Sequence, residues 1–237
     1  MIVDHTNRRV LEVLENREQT TVEAYLRQER ERGLLAQVEE VTTDMWDAYV
    51  NAAKAVFGPA VAVVIDRFHV MKNLQERLTQ ARRELQRSLP KKAAQELKGS
   101  RWLWVTNPEN LDDESRQRLE ILKVRFPALR RLANQRDALR ALFEDRTLTC
   151  PKAAASRLQD WIRSARALGL AGLNAFCKTL ENWLQPIANY FRSRSTNGPT
   201  EGFNHGLRLL LWRAFGMTNF AHFRLRVLDR FGRVQAQ

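Results

Sequence analysis

Three acidic residues stand where a carboxylate could do chemistry: Asp44, Asp66 and Glu201. Asp44 ends the run Val38 to Thr43, whose alternation reads as a strand. Asp66 ends the unbroken, β-branched run Val61 to Ile65, the pattern of a strand buried on both faces. Glu201 follows the polar loop Ser193 to Gly198, on a helix opened by Pro199. Carboxylates arriving from several elements are what two Mg²⁺ ions, roughly 3.5–4 Å apart, require for phosphoryl transfer. One ion activates the attacking hydroxyl and the other stabilises the leaving oxygen. Asp44 and Glu201 are the candidates for that role. The same residue types also serve structural ends, since aspartate caps helices and a first-turn glutamate offsets the helix dipole. Asp66 competes with Asp44. Adjacent strands lie about 4.8 Å apart, so only one can neighbour a central catalytic strand directly. The Asp44 strand comes first along the chain and ranks ahead, which leaves Asp66 to cap the helix after it.

Other side chains have weaker claims. His69, three residues after Asp66, falls on a shared helical face, but no further His or Cys lies near it and a structural hydrogen bond competes with metal ligation. Trp102 and Trp104 have the means to stack nucleic-acid bases, against a default of burial. Arg208, Arg213, Arg224, Arg226, Arg230 and Arg233 make a basic C-terminal series suited to a phosphate backbone. No glycine-rich phosphate loop, no Ser/His/Asp spacing and no His-Glu-x-x-His is present.

The elements that must position these residues follow from periodicity. Met1 to Asp4 and Arg9 to Leu14 predict a hairpin about a His5-Thr6-Asn7 turn. Thr20 or Thr21 is expected to cap a helix running to Gly33, with Val22, Tyr25 and Leu26 inward. A helix is predicted over Met45 to Phe57, closed by Gly58-Pro59, and a long one from Phe68 to Leu89. Two strands, each ending in aspartate and each followed by a helix, predict parallel α/β packing with its site at the strands' C-terminal ends. From Pro90 to Arg192 the pattern is helical, with Arg101 to Val105 as an apolar break and a helix through Leu111, Leu119 and Leu122.

Composition sets the partner class. The 237 residues carry 39 basic side chains, only eight of them lysine, against 27 acidic ones, for a net charge of +12. Arginine forks pair bidentately with phosphate, so a polyanion is the natural partner, although codon bias would leave the same excess. No run of eighteen apolar residues exists to span a membrane. The charged N-terminal stretch is unlike a secretory leader, and two isolated cysteines suit a reducing cytoplasm.

The stretches Val41 to Leu74 (VTTDMWDAYVNAAKAVFGPAVAVVIDRFHVMKNL) and Ser195 to Leu228 (STNGPTEGFNHGLRLLLWRAFGMTNFAHFRLRVL) together resemble the bacterial DDE transposases of the ISL-three insertion-sequence group. The resemblance covers nearly the whole chain. It implies an α/β RNase H-like core interrupted by a large all-α insertion: core over residues 1–89, insertion over 90–192, and core helices with the last acidic residue over 193–237. It implies Asp44 as the second catalytic aspartate, Glu201 as the final glutamate, and Asn204 as an asparagine that orients the metal site. Asp66 and His69 match the family's Asp-x-Phe-His segment. The cofactor implied is Mg²⁺ or Mn²⁺ at a two-metal site, the partners are transposon-end and target DNA, and a homodimer is compatible with it.

The family's first aspartate lies on a strand before the hairpin, and Asp4 matches a different family aspartate at the end of the second strand. The expectation is therefore an N-terminally truncated transposase with its first strand missing and its catalysis impaired. A core of that kind is left either with a gap about two strand spacings wide, roughly 9.6 Å, or with its strands re-paired. The alternative is a non-catalytic, basic DNA-binding remnant. A helical protein-interaction module would need neither the charge nor the acids.

Overall fold

The computed structural model describes residues 1–232 of the chain. Strands β1 (Ile2–Asp4) and β2 (Arg9–Glu12) form an antiparallel hairpin. Asp4 closes its turn, accepting from the Asn7 backbone N–H at 3.0 Å and its side-chain amide at 2.7 Å. Helix α1 (Gln19–Glu31) begins earlier than Thr20 or Thr21 would set it, with Glu18 at its cap. Asn16 is the reason: its side chain accepts from the Glu18 N–H at 3.0 Å and turns the chain two residues sooner.

Strand β3 (Glu40–Thr43), helix α2 (Asp47–Phe57) and strand β4 (Ala62–Ile65) follow as one β-α-β passage. The strands pair in parallel, with Glu40 opposite Ala62 and Thr43 opposite Ile65. Val63, Val64 and Ile65 are buried, as their unbroken apolar run predicts. Gly58, at φ +68°, ends α2 in a conformation that favours glycine. The hairpin and the β3–β4 pair are separate two-stranded sheets among the described residues.

The chain folds as two compact units, residues 1–66 with 195–237, and residues 67–194. In the first, α1 packs on α2, and the hairpin packs on helices α11 (Gly198–Arg213) and α12 (Phe220–Phe231). Val10, Val13 and Val227 centre this core, with Phe203, Leu207, Phe223 and Phe231 packed around them. Gly206 permits the close approach, since a Cβ there would meet the Phe231 ring at 2.7 Å.

The second unit is helical throughout: α3 (Arg67–Ser88), α4 (Lys91–Glu96), α5 (Arg101–Val105), α6 (Asp113–Arg125), α7 (Pro127–Glu144), α8 (Pro151–Arg166), α9 (Ala171–Asn182) and α10 (Leu184–Ser193). The expected apolar break at Arg101 to Val105 is itself a helix. Its fully buried Ser100 donates to the Leu97 carbonyl at 2.8 Å and accepts the Trp104 indole N–H at 3.3 Å. Leu111 lies outside α6, because Asp112 caps that helix by accepting from the Ser115 N–H. Arg194, at φ +60°, closes α10 and donates to the carbonyls of Phe143, Asp145 and Leu148. Among the described residues no helix is long and apolar enough to cross a membrane.

One ion pair ties the hairpin to α12. The Arg224 guanidinium grips both Glu12 carboxylate oxygens, with Nε at 2.6 Å, and Glu12 is buried. Removing the fork leaves the buried carboxylate with the Val13 N–H at 2.7 Å, and the part-exposed Arg224 side chain lets water answer some of the loss. Arg224→Ala should therefore cost about 1–3 kcal/mol in denaturant unfolding. The exposed Arg226→Ala should stay within about 0.5 kcal/mol of the parent.

Candidate active site

The parallel ladder runs straight into the acids. Thr43 faces Ile65, and the Asp66 N–H donates to the Thr43 carbonyl at 3.4 Å. Asp44 and Asp66 are the next residues on each strand, side by side at the C-terminal end of the pair. That is the end at which open α/β sheets build their sites. Asp44 is exposed and Asp66 is buried.

Asn197 joins them. Its backbone N–H donates to Asp66 Oδ2 at 2.8 Å, and its side-chain Nδ2 donates to Asp44 Oδ1 at 2.8 Å. Asn197 is buried and occupies the N-cap of α11, but its side chain makes no capping bond. Its carbonyl accepts the Glu201 N–H at 2.9 Å, which places Glu201 one turn into α11. Nearby, His5 Nε2 and Thr200 Oγ1 are hydrogen-bonded at 3.2 Å.

Helical spacing extends the site along α11. Glu201, Asn204, Arg208 and Trp212 recur at three- and four-residue steps, and all four are exposed. The opposite face, with Phe203 and Leu207, packs into the hairpin core. The line spans about 16 Å at 1.5 Å per residue. Phe215, just beyond the helix, is fully exposed at φ +51°.

Of the acids singled out from sequence, the structure thus brings Asp44 and Asp66 together, with Glu201 one turn from their shared partner. His69 lies on α3 in the helical unit, half-buried and edge-on to Phe68 at 5.7 Å. Trp104 is buried, while Trp102 is exposed with the Arg101 guanidinium 4.6 Å over its ring, because positions two apart on a helix lie on opposite sides of it. Arg208, Arg213, Arg226 and Arg230 are exposed; Arg224 is engaged by Glu12; Arg233 lies outside the described residues. Sequence reasoning passes over Asn197, His5 and Thr200. An asparagine directly before Gly-Pro at a helix start is the available signal for Asn197, whereas nothing in the order of residues points from His5 to Thr200.

The donor chemistry suits a hard divalent cation, but the donor count falls short. Among the described residues no group of three or more His, Cys, Asp or Glu side chains is placed to hold a metal ion. Asp44 and Glu201 by themselves do not complete a two-ion site.

Burial pushes the His5 imidazole below its ordinary value, against the opposing pull of Asp4, Asp66 and Glu40. The folded chain then holds the neutral ring where the unfolded chain takes up a proton. The stability that His5 contributes is full above the ordinary value of about 6.5 and is lost as pH falls from there toward the folded value. Unfolding free energies measured across that range should show a drop on acidification, and His5→Gln should flatten it.

Comparison with known proteins gives the family. A family model described as "Transposase", of the ISL-three DDE type, matches residues 1–227. The chain is 29% identical over 238 residues to a protein named "Transposase for insertion sequence element IS1001" from Bordetella parapertussis. The match covers 98% of this chain and 56% of that relative, so the chain spans little more than half the relative's length. No solved structure matches. With the family model spanning nearly all of its length, the chain belongs to the ISL-three family of DDE transposases.

Proposed function

We propose that this chain acts on DNA as part of a DDE-type strand-cleavage and strand-transfer machinery, with Asp44 and Glu201 as its acidic contributions. The observation that carries this reading is the convergence at Asn197: two parallel strand ends and the helix bearing Glu201 meet at one buried residue, through its side-chain amide, its backbone N–H and its carbonyl. Family membership and the relative's name, a transposase for an insertion sequence, support it. The fold proposed is an RNase H-like core, with the insertion expected over residues 90–192 contained in the helical unit of residues 67–194 together with α3. Mg²⁺ or Mn²⁺ is the proposed cofactor, held at a site that takes one further acid beyond Asp44 and Glu201. Asn204, exposed one turn after Glu201, is proposed to orient it.

DNA is proposed to lie along the exposed face of α11 and onto α12. Arg208, Arg213, Arg226 and Arg230 offer guanidinium forks to its phosphates, and Trp212 offers a stacking surface. Pairing of two copies on one DNA is proposed as the assembly. A second reading is a basic DNA-binding protein without catalysis, which the exposed arginines of α11 and α12 serve equally well.

Binding measured with duplex DNA should fall on the order of 10³-fold between 50 and 200 mM salt for six or more phosphate contacts. Arg208→Glu and Arg226→Glu should each weaken it uniformly across sequences. Binding unchanged over that salt range would defeat the DNA assignment. In the same samples with Mn²⁺, the 237-residue chain should bind transposon ends without cutting them. Cutting would show instead that Asp4 or Asp66 completes the site.

A further inference from the structure

We propose that Asn197 is the positioning residue of this site. It holds the Asp44 carboxylate in place and fixes the first turn of α11, and with it Glu201, against the β3–β4 strand ends. This role presupposes that Asp44 and Glu201 act together, whereas the measurements that test it involve no DNA and no metal.

Three hydrogen bonds leave this one residue for three elements. The backbone N–H reaches Asp66 after β4, the side-chain amide reaches Asp44 after β3, and the carbonyl accepts the first helical bond of α11 from Glu201. The residue is buried, so an amide that lost its partner there would be left unsatisfied.

Its position also explains its chemistry. Asparagine is among the best N-cap residues because its side-chain oxygen accepts from the N–H groups two and three positions on. Asn197 makes no such bond. Of the first helical donors one is already removed by Pro199, which carries no N–H. The side chain is instead committed to Asp44, and its Nδ2 is the end that donates. Aspartate or serine would cap the helix equally well, but aspartate would set a second carboxylate against Asp44 and serine is too short to reach it. The amide is required by the partner and not by the helix.

Chain connectivity gives the clamp further weight. The first unit ends at Asp66 and resumes at Ser195. Asp66 and Asn197, 131 positions apart, stand at that exit and return, and their hydrogen bond fixes where the returning chain begins its helix.

Amide hydrogen exchange on the 237-residue chain tests the assignment, with the amides of β4 as an internal monitor of global stability. Asn197→Ala and Asn197→Ser should both speed exchange of the Glu201 amide roughly tenfold or more, the worth of a hydrogen bond to a charged group, with β4 affected less. The exchanged pair D44N with N197D reverses donor and acceptor and should return the Glu201 amide close to parental protection. The proposal is overturned if Asn197→Ser behaves as the parent, which would make Asn197 a helix cap alone. It is equally overturned if Asn197→Ala leaves Glu201 unchanged, or if the exchanged pair is as unprotected as Asn197→Ala. Should Asn197→Ala fail to fold, the exchanged pair decides alone: a folded, protected pair supports the clamp and an unfolded one overturns it.

Discussion

The hydrogen-bonded junction Asp66–Asn197–Asp44 is the constraint on which the first unit's architecture turns. A carboxylate as buried as Asp66, 2% exposed, is tolerable only when its charge is answered. Part of the answer comes from a backbone N–H that lies 131 residues away in sequence. Long closed loops cost entropy only logarithmically, so the chain can accommodate a helical unit between Asp66 and Ser195 if its two ends are pinned. Pinning them places α11 at the mouth of the parallel pair. Glu201 sits on the first turn that this junction begins, on a helix whose other side packs on the hairpin core.

The arginines divide by burial into two populations. Arg136, buried in the helical unit, donates to the Trp104 carbonyl and pairs with Asp137; Arg194 gathers three carbonyls; Arg224 grips Glu12. Each satisfies groups that would otherwise be buried unpaired. Arg208, Arg213, Arg226 and Arg230 are exposed on α11 and α12, where their charge is available to a polyanion. A net charge of +12 is therefore not one feature but a structural set and a surface set. Helix α11 repeats the division on its own two sides: one packs on the hairpin, and the other lines up Glu201, Asn204, Arg208 and Trp212.

Period and punctuation made most elements of the fold legible. The β-branched run before Asp66 and the Gly58-Pro59 stop behave as their chemistry dictates. The misplacements have local causes. An Asx turn at Asn16 displaced the threonines as the start of α1, and a buried serine turned the Trp-rich stretch into a helix. Asp44 and Asp66 were readable because a strand ending in aspartate before a helix is a local pattern. Asn197 was not readable as their partner. Its role depends on two contacts more than a hundred residues away, and its local signature, a helix cap, describes a bond that it does not make.

The surface proposed to meet DNA is the α11 face carrying Glu201. Site-specific photo-crosslinking tests it most directly, with a photoreactive phenylalanine placed in turn at Arg208, at Trp212, and at the exposed Leu34 and Ile121 as controls. Labelled duplex DNA should be captured from positions 208 and 212 and not from 34 or 121. Capture from the controls with none from α11 would contradict it.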